Sequence, residues 1–176
     1  MGQYYYPIIL DAAGKKIVVW MGAHNYNNGA KLMEHAYIKN NFVSTFEFGL
    51  SPESVFHTSR VVWAGDYADE EEGGKTLFNQ CTEYQQINPD SKDTTPYRFL
   101  LNHTKKQFVD KSKIPDVHGY RLHPLPLLTC EGNGRGGGDF RDGEPLVGSW
   151  ARDVISVEKQ APEGFEEIVF DLKLGE

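Results

Sequence analysis

Residues 4–21 read YYYPIILDAAGKKIVVWM, two apolar stretches separated by a short polar one. The stretches 4–10 and 16–21 are rich in aromatic and β-branched side chains, which favour strands. Between them, residues 11–15 supply the Asp and Gly that turns prefer. This segment therefore predicts a β-hairpin near the start of the chain.

Further strands are expected along the chain. The apolar run at 60–64 is typical of a buried strand. Two strand candidates at 97–101 and 107–110 enclose a polar turn and predict a second hairpin. The last candidates are 150–157 and 166–170.

Helical spacing of apolar residues is confined to short segments. One helix is expected to begin near Gly29, with Asn28 as its cap, and a second covers 42–49. Ser-Pro-Glu at 51–53 predicts another helix start, and 76–81 a short helix.

The segment 115–126 contains three prolines, so we expect an ordered connector there rather than a helix. Together these patterns predict one α+β domain, residues 1–176, with a mainly antiparallel sheet and two or three short helices.

Composition excludes several classes of protein. The chain of 176 residues fits one domain, and 18 Lys and Arg against 25 Asp and Glu give a net charge of −7. This balance argues against binding duplex nucleic acid.

Cys81 and Cys130 are expected to be reduced, buried thiols. Without a membrane-length apolar run or a signal peptide, we expect a cytoplasmic protein with no membrane partner.

Six short blocks stand out along the chain: MGQYY at 1–5, GAKLME at 29–34, WAGDYAD at 63–69, NHTKK at 102–106, RGGGDF at 135–140 and GSWARD at 148–153. Together they resemble a family of small proteins from bacteria, phages and fungi that has no established activity, so the resemblance implies no chemistry. In the last block Arg152 stands where the family pattern has Gly.

The segment 132–139 is the most glycine-rich, with five glycines in its first seven positions. Such a backbone can turn several N–H groups toward one anion, and Arg135 can bind a phosphate or carboxylate with two hydrogen bonds. No Walker A motif is present and no helical pattern follows. Arg135, Gly136 and Gly137 are therefore candidate ligand-binding residues, and a plain connecting loop is the alternative.

Three further side chains are candidate ligand contacts. Trp63 and Trp150 each precede an Asp by three positions, and their rings either wall a cleft or belong to the core. Lys105 lies beside His103 and Lys106 in the second hairpin turn, where it can contact one phosphate or simply keep the turn soluble.

Catalytic candidates are the loop carboxylates Asp66, Asp69 and Asp139, as a general base or as Mg²⁺ ligands. The acidic run 69–72 is otherwise a solvated face. The six histidines are scattered, so no metal site is predicted. Cys130 with His123 is possible as a nucleophile pair, although we expect Cys130 to be buried and inert.

We therefore expect a soluble intracellular protein that binds a small anionic or nucleotide-like ligand without catalysis; no cofactor is assigned. One alternative is a metal-assisted hydrolase or transferase that uses the loop aspartates. The other is an inhibitor or assembly factor that binds a protein partner, for which the alternating tyrosines at 4–6 offer a surface.

Overall fold

The computed structural model describes residues 3–132 and 145–172. The strands are β1 Tyr5–Leu10, β2 Ile17–Trp20, β3 Ser59–Gly65, β4 Gln85–Gln86, β5 Phe99–Asn102, β6 Gln107–Asp110, β7 Cys130–Glu131, β8 Val154–Glu158 and β9 Glu166–Glu167. The helices are α1 Leu32–His35, α2 Asn41–Phe48, α3 Leu77–Gln80 and α4 Pro124–Thr129. Among the described residues, every helix is too short or too polar to cross a membrane.

The described strands form one mixed sheet in the order β4-β2-β1-β3-β8-β5-β6-β9, with β7 also paired to β3. The longer strands pair antiparallel, and both predicted hairpins are present as β1–β2 and β5–β6. Parallel pairing is confined to the two-residue strands β4, β7 and β9. The predicted α+β class with a mainly antiparallel sheet is confirmed.

Both faces of the sheet are covered around β1 and β3. Tyr5 and Trp63 point to the main core under α2 and α4, whereas Ile8 and Val62 point to a second cluster under α3. Tyr6 stacks on the ring of Phe78, with centroids 4.1 Å apart. Burial on both faces explains why these strands are continuous apolar runs, as for 60–64.

Two predicted helix starts differ from the structure. The first helix begins at Leu32, and the Asn28 Oδ1 accepts from the Asn40 amide at 2.7 Å instead of capping a helix at Gly29. Residues 51–53 form turns, so that prediction is wrong. Val55 is 91% exposed, and a helix there would have little apolar surface to bury.

The prediction that residues 115–126 form a connector without a helix is wrong at its end, because α4 begins at Pro124. Pro124 and Pro126 occupy its first turn, whose N–H groups have no partner inside a helix, so proline costs little there. His123 caps this helix, since its Nδ1 accepts from the Leu125 N–H at 3.1 Å. The α2 helix matches its prediction and is capped by Asn40, whose Oδ1 accepts from the backbone N–H groups of Phe42 and Val43.

Candidate functional site

A cavity of about 210 Å³ lies where four separate segments of the chain meet. It is lined by four cationic side chains (Lys39, Arg98, Lys111 and Arg121), four hydroxyls (Ser44, Thr94, Thr95 and Ser112), and Asp93, His123 and Ile38. On a chain with a net charge of −7, so many cations around one small cavity are a local reversal of charge. The lining chemistry therefore favours an anion.

Two of the four cations are held by carboxylates. Arg98 donates to both carboxylate oxygens of Asp110, at 2.8 and 2.6 Å, and this pairing lowers the pKa of Asp110 to about 2. Lys111 donates from Nζ to Oε2 of Glu47 at 2.7 Å. Both cations are thus fixed in the cavity wall by partners that lie outside it.

Lys111 and His123 of the cavity wall form a buried polar cluster with Glu47, which lies behind them. Because Nδ1 of His123 accepts a backbone hydrogen bond, its Nε2 carries the proton and faces Glu47 Oε2 at 3.2 Å. Burial lowers the pKa of His123 despite this carboxylate. Burial alone would raise the pKa of Glu47, but Lys111 and His123 together hold it well below its usual range. A charged Glu47 therefore keeps Lys111 in place.

The other two cations, Lys39 and Arg121, and the hydroxyls of Ser44 and Thr94 have N–H or O–H groups that donate to no described residue. Among the described residues, neither Lys39 nor Arg121 has a carboxylate partner, and Arg121 donates only to the carbonyls of Ile114 and Lys111. Ser44 and Thr94 are 6% and 5% exposed, and no described residue accepts from their hydroxyls. These four side chains meet at the cavity, so an oxyanion there would satisfy them together.

The two tryptophans proposed as ligand contacts are core side chains. Trp63 is 0% exposed and donates from Nε1 to Nε2 of His35 at 3.0 Å. Trp150 is 1% exposed and donates from Nε1 to Oε1 of Gln107 at 3.0 Å. Neither ring offers a face to a ligand, because each is covered and its polar atom is already bonded.

Lys105 is engaged in the hairpin turn. Its Nζ donates to Oδ2 of Asp153 at 2.5 Å, and the Asn102 amide donates to the same oxygen at 2.8 Å. Lys105 thus fastens the β5–β6 turn to the residue before β8, away from the cavity.

The described carboxylates proposed for catalysis lie apart from the cavity. Asp66 accepts from the Tyr4 N–H at 3.0 Å and so holds the start of β1. Asp69 lies on the rim of an acidic cleft with Glu71 and Glu131. No group of three or more metal-ligating side chains is arranged to hold an ion within residues 3–132 and 145–172. The candidates Arg135, Gly136, Gly137 and Asp139 lie outside the described residues.

Arg152 closes part of that acidic cleft. Its guanidinium donates two hydrogen bonds each to Glu71 and Glu131, at 2.7–3.0 Å. Its backbone has a φ of 68°, in the left-handed region that glycine adopts without steric strain. The Gly expected at this position from the resemblance suits that backbone, and the arginine instead gains two carboxylate partners.

Two nucleophile–histidine pairs in the described chain are covered. Ser156 Oγ lies 2.7 Å from Nε2 of His103, but Ser156 is 0% exposed. Cys130 is also 0% exposed, and both ring nitrogens of His123 are engaged elsewhere. A nucleophile needs access to its substrate as well as a base, so neither arrangement is an active site in this conformation.

Sequence reasoning missed the cavity because no short motif encodes it. Lys39, Thr94 and Arg121 come from three loops and carry no mutual spacing that a pattern search would recognise. Comparisons with protein-family models, with curated proteins and with solved structures give no match to this chain.

Proposed function

We propose that the chain binds a small anionic ligand, without a chemical step, in the cavity lined by Lys39, Arg121, Ser44 and Thr94. One observation carries the proposal: cations without carboxylate partners and hydroxyls that donate to no described residue line the same cavity. The oxygens of a phosphate or carboxylate can accept hydrogen bonds from all four of these side chains.

The size of the cavity limits the ligand. Its volume of about 210 Å³ is below the ~300–1,000 Å³ of pockets that hold drug-sized molecules. A ligand with one oxyanionic group and a short attached chain fits that space. Stacking of a nucleobase on Trp63 or Trp150 is not part of the proposal, because both rings are buried.

The test is calorimetric titration of the purified chain with inorganic phosphate. Lys39→Gln removes a cation that makes no hydrogen bond to the described residues, and we expect it to weaken binding about fivefold. Thr94→Val removes only the hydroxyl and is expected to weaken binding to a similar extent.

A matched control is available at Lys106. Both lysines are exposed and have a positive φ, 54° for Lys106 and 75° for Lys39. Lys106, however, does not line the cavity. Lys106→Gln makes the same change in net charge and should leave phosphate binding unchanged. Equal weakening by Lys39→Gln and Lys106→Gln would mean that binding follows overall charge and not this cavity.

A further inference from the structure

We infer that the ligand of this cavity is a small amino phosphate, with its phosphate on Lys39 and Arg121 and its ammonium group toward Asp93. This inference rests on the proposed function and names the class of ligand for the same site.

An anionic ligand alone does not explain why the carboxylate residue Asp93 lines the cavity. Its carboxylate lines the cavity among the cations, and its Oδ1 accepts from the Thr95 N–H and hydroxyl at 3.1 and 2.6 Å. Those two bonds, helped by Lys39 and Lys111, lower the pKa of Asp93, so the group is ionised at neutral pH. No described residue hydrogen-bonds to its Oδ2, which leaves an acceptor for a cationic part of the ligand.

The charge balance around the cavity points the same way. Among the described residues, the charged groups in or directly behind its wall are four cations (Lys39, Arg98, Lys111 and Arg121) and three carboxylates (Asp93, Glu47 and Asp110), which leaves one positive charge in excess. A phosphate monoester carries about −1.5 to −2 at neutral pH. An added ammonium group brings the ligand close to −1, which matches the excess.

The number of donors favours phosphate over carboxylate at the anionic end. Lys39, Arg121, Ser44 and Thr94 all have N–H or O–H groups that no described side chain uses. A phosphate monoester presents three strong acceptor oxygens, whereas a carboxylate presents two. Phosphate therefore satisfies more of these donors at once.

The test compares two phosphate esters that differ only in the amine, O-phosphoethanolamine and ethyl phosphate, by calorimetric titration of the whole chain. We expect the amine to tighten binding about threefold or more, the range of an exposed ammonium–carboxylate contact. In the Asp93→Asn variant the ratio of the two affinities should fall to about one. Asn keeps an oxygen for the Thr95 hydrogen bonds, so the loop fold is preserved.

Asp90→Asn is the control, since Asp90 is exposed in the same loop and does not line the cavity. It should retain the wild-type ratio. If both esters bind equally to the wild type, or if Asp93→Asn leaves the ratio unchanged, the amino phosphate inference is wrong and the anion site stands. If neither ester nor inorganic phosphate binds, the proposed function fails with it.

A phosphodiester of the same amine, glycerophosphoethanolamine, distinguishes a free metabolite from a lipid headgroup. It has one anionic oxygen fewer than the monoester, so we expect weaker binding. Tighter binding of the diester than of the monoester would overturn the assignment to a free amino phosphate.

Discussion

Acidification should destabilise the fold through His35, which is fully buried beside Trp63. The Trp63 indole N–H can only donate, so the acceptor 3.0 Å away, Nε2 of His35, is unprotonated, and Nδ1 donates to the Gly29 carbonyl at 2.9 Å. A proton on Nε2 would face the indole N–H. Burial lowers the pKa of His35 to about 4, although Gly29 and Glu34 partly oppose it.

The magnitude follows from the two pKa values of His35. The unfolded chain protonates near the ordinary 6.5 and the folded chain only near 4. The unfolded state therefore binds more protons between these values, and stability falls as the pH falls. This contribution is complete above pH ~6.5 and is lost toward pH ~4, in all ~3 kcal/mol at about 1.4 kcal/mol for each pKa unit. Between pH ~7.5 and ~5 the expected loss is ~2 kcal/mol.

The assay is urea unfolding followed by tryptophan fluorescence at several pH values across that range. The His35→Gln variant keeps a donor and an acceptor but has no titrating ring. Burial also lowers the pKa values of His103 and His123, which destabilise wild type and variant alike at low pH, so the difference between the two proteins isolates His35. We expect the variant to lose ~2 kcal/mol less than the wild type on acidification. An equal loss in both proteins would refute the reasoning.

Three further predictions concern other buried or strained groups. Glu47→Gln leaves the Lys111 ammonium buried without its counter-charge and should lower the free energy of unfolding in urea by about 3–5 kcal/mol. Adding Lys111→Met should recover most of that loss, because it removes the unpaired charge. A loss below ~1 kcal/mol in Glu47→Gln would contradict this. Arg152→Ala should unfold more easily than Arg152→Gly by ~1 kcal/mol, because both lose the same carboxylate partners and only Gly suits a φ of 68°; equal melting temperatures would contradict it. Cys81 and Cys130 are buried, and burial raises the pKa of Cys81 to about 12. A thiol reagent should therefore label them only at the rate of unfolding, and rapid labelling of the native chain would show otherwise.

Local patterns were enough for the elements whose own residues decide their structure. The apolar stretches with their intervening turn at residues 4–21 and the apolar spacing at 42–49 each predict observed elements within a few residues. The start of α4 was missed because proline usually argues against a helix, yet its first turn tolerates proline when His123 supplies the cap.

The site was harder to predict because it depends on packing between distant segments. In sequence, Trp63 three positions before Asp66 is compatible with a core side chain and with a ligand cleft. In the structure Trp63 belongs to the core, because Phe46 of α2 packs edge-on against its indole with ring centroids 5.2 Å apart. Likewise, Lys39 and Arg121 are brought together by backbone pairing between their segments, in which the N–H of Ile38 donates to the carbonyl of Arg121 at 2.8 Å. Such non-local contacts leave no trace in residue spacing.

The central claim is that an oxyanion binds in the cavity of Lys39, Thr94 and Arg121, and one measurement tests it most directly. The amide signals of the isotope-labelled chain can be followed by nuclear magnetic resonance while inorganic phosphate is added. We predict saturable shifts concentrated at residues 38–44, 93–98, 111–112 and 121–123, which line the cavity. Shifts concentrated instead at the glycine-rich segment 132–139, or no saturable shifts at all, would contradict the account.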